Sequence, residues 1–202
     1  MRVLISGEGA NEIGGWALAV PYRADPPTPG VVEALLRKLS VDGWTVHDGR
    51  LWKSVRKYRA GHHRQPETRT VLGLALAAKE SNCDALVFIR DQDHDSARLN
   101  DISAGLREAS ANWPELKLAG GVAVPCLEGW LLALQGTCNS ESLRKSAAIQ
   151  LLANAGVAAK NTESMVQLVE TINLSRIPED AEMLRAWLER AGEVLGRQMP
   201  AD

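Results

Sequence analysis

Carboxylates gather in three short stretches of the sequence. Glu8 and Glu12 lie in GEGANE, Asp91, Asp93 and Asp95 in RDQDHD, and Glu128 in CLEGW. Residues i and i+2 of an extended chain point to the same side, so Asp91, Asp93 and Asp95 can converge. Carboxylates crowded in this way repel one another, and a hard divalent cation with oxygen ligands relieves the repulsion. Mg²⁺, or Mn²⁺ in its place, suits one or two carboxylates plus a substrate phosphate, whereas Ca²⁺ requires a fuller protein cage. The chemistry that follows is metal-assisted attack on a phosphate ester. Taken singly, an Asp after a strand forms a turn and a Glu opening a helix complements its dipole. The three stretches gain weight together because each is expected at the same edge of one sheet.

Other readings of these residues fare less well. In a calcium loop begun at Asp91, the sixth position would be Ser96 instead of Gly and the twelfth Ile102 instead of Glu. No GxxxxGK[ST] phosphate loop and no GxSxG elbow exists in the chain. A haloacid-dehalogenase-like phosphatase also places aspartates after an apolar strand. That strand lies near the start of its chain, however, and Thr or Val stands where this sequence has Asp95.

A basic run follows the second predicted strand. Residues 50–69 hold seven Lys and Arg against one acid, Glu67, in a chain whose net charge is -2. Arg50, Lys53, Arg56, Lys57, Arg59 and Arg64, with His62 and His63 between them, form a candidate surface for tracking nucleic-acid phosphates, DNA or RNA. The plainer alternative is a solvated surface.

The elements that must position these groups are legible in the hydrophobic pattern. Short apolar runs at 3–6, 44–47, 85–89 and 116–124 read as strands, the last interrupted by Gly120-Gly121. Helical spacing is present at 11–19, 31–39, 67–81, 96–111 and 127–134. Strands alternating with helices predict an α/β fold with a mainly parallel four-stranded sheet flanked by helices. Trp130, Leu131 and Leu132 belong to its core. In an open parallel sheet the ligand site lies beyond the carboxyl ends of the strands, where the acids fall. Past residue 136 the strands stop, and 141–155, 162–173 and 178–197 are helical by periodicity. The expected organisation is an α/β domain over 1–135 and a helical C-terminal extension over 136–202. An apolar content of 45% suits a globular core. Cys83, Cys126 and Cys138 have no metal-ligand spacing, and each, beside apolar neighbours, reads as a buried small hydrophobe. Neither a signal segment nor a membrane span is visible, so the expected setting is cytoplasmic.

The stretches ISGEGANE, ALVFIRDQDHD and AVPCLEGWLLAL, in that order, resemble the TOPRIM-like proteins of the domain-of-unknown-function family forty-two seventy-six. More distantly they are similar to RloB-type and OLD-family nuclease domains. The resemblance covers about residues 1–135. Asn11 stands where Thr is commoner before the second Glu, and Gly129 where Ala is commoner between Glu and Trp. Neither change removes a carboxylate. The resemblance implies a Mg²⁺-dependent phosphodiester hydrolase acting on nucleic acid, in several relatives a defence effector working beside an ATPase. With only two tyrosines, Tyr22 and Tyr58, and no primase modules, hydrolytic cleavage remains among the TOPRIM activities. In that scheme Asp91 and Asp93 hold the cation, and Glu8 completes its shell or acts as general base. Glu128 and Asp95 support a second ion, and Glu12, one helical turn past Glu8, either stands behind them or is a surface acid. The alternative is a non-catalytic nucleic-acid-binding or regulatory subunit that retains such a site.

Overall fold

Strands form where aliphatic residues run continuously enough to be covered on both sides. In the computed structural model, which describes residues 1–18, 26–58, 64–158 and 161–196, these are β1 (Arg2–Gly7), β2 (Thr45–Leu51), β3 (Ala85–Asp91) and β4 (Lys117–Ala123). All are parallel, in the order β2-β1-β3-β4. Central β1 and β3 are buried almost throughout, as expected of parallel strands with helices on both faces. β2 runs on to Leu51, beyond the predicted 44–47. As an edge strand it has one partner, so polar Asp48 and Arg50 can continue the pairing, up to Leu51 opposite Gly7.

Side chains alternate between the two faces. Val3, Ile5, Val87, Ile89 and Ala123 point toward α2 (Val31–Leu39), α5 (Leu127–Leu134), α6 (Lys145–Asn154), α7 (Thr162–Thr171) and α8 (Glu182–Val194). Leu4, Leu86, Phe88 and Val122 point toward α3 (Pro66–Glu80) and α4 (Arg98–Asn112). The helices past residue 136 share the core of the first face. Trp187 of α8 packs on Trp130 with ring centroids 5.9 Å apart, and its Nε1 donates to the Phe88 carbonyl at 3.0 Å. The expected break at Gly120-Gly121 does not occur. A Cβ at Gly120 would lie 2.2 Å from the Phe88 ring, and one at Gly121 would lie 2.4 Å from that of Trp187. The two glycines admit large rings on opposite faces while the strand continues.

The helix predicted over 11–19 is shorter. α1 (Ala10–Ile13) is capped by Gly9, not Asn11, and gives way to a 3-10 turn over Gly14–Ala17. Gly14 has φ +59°, and a Cβ there would meet the Thr28 carbonyl at 2.1 Å, so the crossing chain ends the helix. Cys83 and Cys126 are buried, but Cys138 is exposed, because it follows the end of α5 in a surface turn. Among the described residues no helix is long and apolar enough to cross a membrane.

Candidate functional site at the carboxyl edge of the sheet

Asp91 is the last residue of β3 and faces the α5–α6 side. Its Oδ1 accepts the buried Leu127 N–H at 2.8 Å, tying the strand end to the start of α5. Its Oδ2 lies 2.9 Å from Lys145 Nζ, at the first residue of α6. Beyond the strand, Gln92 N–H donates to Ala123 O at 2.8 Å and Asp93 N–H to Pro125 O at 3.1 Å. These bonds extend the β3–β4 pairing and carry Asp93 outward. With φ +54°, a left-handed conformation that Asp tolerates better than most residues, Asp93 turns back toward Asp91. Its Oδ1 lies 2.6 Å from Lys145 Nζ, and its Oδ2 accepts from Arg98 Nη1 at 2.9 Å. The two aspartates therefore converge, and the point they share holds the Lys145 ammonium.

Glu8 reaches the same edge from β1. Its Oε1 accepts the Asp91 N–H at 3.2 Å and pairs with Arg90. Arg90 points to the opposite face of β3 from Asp91. There its guanidinium stands 5.6 Å from the Trp52 ring centroid and pairs with Glu67 at 3.3 Å. Glu67 also pairs with Arg98 Nε at 3.0 Å and accepts from Trp52 Nε1 at 2.8 Å. One continuous charge network thus runs from Glu8 through Arg90, Glu67, Arg98, Asp93 and Lys145 to Asp91.

Burial raises the Asp91 pKa, and the bonds from Lys145 and the Leu127 N–H lessen the rise without reversing it. At Asp93 burial acts in the same direction but is outweighed by hydrogen bonds from Lys145 and Arg98, so its pKa falls below the ordinary value. Lys145 responds in kind: burial lowers its pKa, and the bonds to Asp93 and Asp91 more than offset that. Glu12 differs most. Only 7% exposed, it is pushed up to about 7, chiefly by burial and further by the charges of Asp91 and Glu128, against the pull of backbone N–H donors. Its Oε2 accepts the Gly9 N–H at 2.7 Å. Gly7 permits this placement, since a Cβ there would lie 2.2 Å from Glu12 Cβ. Glu128 is buried in the first turn of α5, and burial, with the Glu128 carboxylate beside it, pushes the Cys126 thiol up to about 12.

The structure brings Glu8, Asp91 and Asp93 to one edge and sets Glu12 and Glu128 close behind Asp91. Asp95 stays apart. It is half exposed, its Oδ1 accepts the Ala97 N–H at 3.1 Å, and it approaches Arg98 only to 3.9 Å. Among the described residues, no three His, Cys, Asp or Glu side chains are gathered round one metal-sized point. The cations Arg90, Arg98 and Lys145 were missed by sequence reasoning. Arg90 and Arg98 flank the aspartates and left a local signal. Lys145 lies 52 residues from Asp93 and left none.

The basic run does not form one uniform surface. Arg50 belongs to β2 and pairs with Asp48 at 2.7 Å. Arg64 is held on Glu108 of α4, its Nε donating at 2.7 and 2.8 Å, so its charge is offset within the fold. Arg69 donates to the Tyr58 carbonyl at 3.0 Å. Lys53, Arg56 and Lys57 are exposed. Arg59, His62 and His63 lie outside the described residues.

Compared with protein-family models, curated proteins and solved structures, the chain matches none.

Proposed function

We propose that the chain is a metal-dependent phosphodiester hydrolase acting on nucleic acid. The observation that carries the reading is the convergence of Asp91 Oδ2 and Asp93 Oδ1 on one cationic group, 2.9 and 2.6 Å away, at the carboxyl edge of a parallel sheet. The Lys145 ammonium is a stand-in that tests the fit. Two hard oxygen donors already face a common positive charge, and Mg²⁺ or Mn²⁺ characteristically uses one or two carboxylates plus substrate phosphate. Asp91 and Asp93 are the residues that would hold the ion. When bound, such an ion offsets charge on a scissile phosphate and lowers the pKa of its water.

The chain's own groups account for the remaining tasks. Lys145, which pairs with both aspartates from the first residue of α6, would supply positive charge for a phosphate oxygen beside them. Arg90 holds Glu8 at the strand end, and Arg98 holds the Asp93 carboxylate, fixing both orientations. Glu12, with its pKa near 7, can hold or release a proton at neutral pH beside Asp91. Work beside an ATPase partner in prokaryotic defence is what the TOPRIM-like resemblance adds.

A second reading draws on a specific observation. Each acid of the trio interacts with a cation of the chain itself: Glu8 with Arg90, Asp91 with Lys145, Asp93 with Lys145 and Arg98. A binding or regulatory module whose acids serve only as internal ion pairs would look the same. Cleavage of plasmid DNA, single-stranded DNA and RNA in millimolar Mg²⁺ or Mn²⁺ separates the two. For a hydrolase, Asp93→Asn should lower the rate at least about 100-fold while the fold persists, because Asn also tolerates positive φ. Equal cleavage by both proteins would sink this site. No cleavage by either, on any of the three substrates, would leave the binding module.

A further inference from the structure

A concave site distinct from the carboxylates lies between α3 and residues 54–58, which begin at the last residue of the 3-10 turn Trp52–Ser54. Its volume is about 480 Å³, within the range of small-molecule sites. Gly73 makes it possible: a Cβ there would lie 2.3 Å from the Arg56 carbonyl, so only glycine lets this stretch of backbone settle on the helix. Tyr58 anchors its end, its N–H donating to Arg69 O and its carbonyl accepting from Arg69 Nε, both at 3.0 Å. The Tyr58 ring stands edge-on to Trp113, with centroids 6.2 Å apart.

The lining divides by chemistry. Val55, Leu76 and Ala77 give it an apolar wall, and Leu76, 36% exposed, is among the few large aliphatic side chains left open to solvent. Arg50, Arg56 and Lys57 bring three cations against one acid, Glu80. Arg50 is engaged by Asp48, but no ion pair of Arg56 or Lys57 occurs among the described residues. The cleft opens from the carboxyl end of β2, where Arg50 pairs with Ser6 and Leu51 with Gly7, the residue before Glu8. From there it runs along the carboxyl-terminal half of α3, past Gly73, Leu76, Ala77 and Glu80, away from the first turn of α3, where Glu67 joins the charge network of the carboxylates.

We propose that this cleft seats an unstacked nucleotide of a single-stranded nucleic acid, so that the substrate class is unpaired polynucleotide. As a statement about substrate, it rests on the hydrolase reading above. A duplex offers a protein its phosphates but keeps its bases stacked inside, and so gives an apolar wall in a cleft nothing to bind. A single strand presents a base face for Val55, Leu76 and Ala77 together with phosphates for Arg56 and Lys57.

The test is fluorescence anisotropy in EDTA with labelled oligothymidine, oligouridine and a duplex of matching length. Either single strand should bind at least about tenfold tighter than the duplex. Leu76→Gln, a neutral change on an exposed helix position, should weaken single-strand binding about tenfold and leave duplex binding within about twofold. Leu76→Ala, with a loss of about threefold, replaces it if circular dichroism shows misfolding. Arg56→Gln with Lys57→Gln should weaken both and flatten the salt dependence. Duplex binding as tight as single-strand binding, or wild-type affinity in the Leu76 variants, overturns the proposal. Because EDTA removes divalent ions, a protein that shows the preference but never cleaves refutes the hydrolase alone. One that cleaves plasmid duplex without the preference refutes the cleft alone.

Discussion

Lys145 Nζ lies 2.6 Å from Asp93 Oδ1, although 52 residues separate them in the chain. The same ammonium also neutralises Asp91, so the start of α6 supplies the counter-charge for the end of β3.

Lys145→Met should therefore lower the metal-free stability by about 1–2 kcal/mol, since the site is partly open to solvent and screening limits the loss. The same change removes a competitor for the aspartates. The rise in melting temperature with millimolar Mn²⁺ should then exceed that of the wild type. Thermal melts of both proteins with and without the ion check this, and a smaller rise in the variant would contradict it.

Asp91→Ala and Asp91→Asn should differ strongly in stability. Alanine leaves the buried Leu127 N–H without an acceptor and deprives Lys145 of one partner, a loss of about 2–4 kcal/mol. Asparagine keeps an oxygen for Leu127 and should lose about half as much. Both should lose any stabilisation by Mn²⁺, which makes Asp91→Asn the cleaner probe of ion binding. Urea denaturation measures the first effect and thermal shift the second.

Glu12 imposes a pH dependence. Burial pushes its carboxyl up to about 7 in the folded protein from an ordinary 4.5, so the folded state binds the extra proton between these values. Its contribution to stability is greatest below the unfolded pKa and is lost as pH rises toward 7, by about 3 kcal/mol in all. Glu12→Gln, which stays neutral, should be more stable than the wild type at pH 8 and flatten the profile between pH 5 and 8. Parallel curves for the two proteins across that window would refute this.

Gly73→Ala tests how the cleft is built. A methyl group 2.3 Å from the Arg56 carbonyl must push residues 55–58 off α3. The cost should be about 1–3 kcal/mol in urea denaturation. Binding of oligothymidine should fall with it, whereas the Mn²⁺-induced thermal shift should be unchanged.

The sequence by itself determined the sheet and the edge. Apolar runs such as Ala85–Ile89 admit little besides a strand buried on both faces, and alternation with helices requires parallel pairing, which carries the residues after each strand to one side. Glu8, Asp91 and Asp93 were readable as neighbours for that reason. Local pattern could not give the length of β2, where pairing with β1 and not hydrophobicity extends the strand to Leu51. Nor could it show that Gly120-Gly121 admits the rings of Phe88 and Trp187, which come from elsewhere in the chain. Only the tertiary structure decided what the acids face. Buried charge must be compensated within a few ångströms, and the partners that do so, Lys145 at the start of α6 and Glu67 between Arg90 and Arg98, are brought close by packing of the helices onto the sheet, a long-range event that leaves no mark in local spacing.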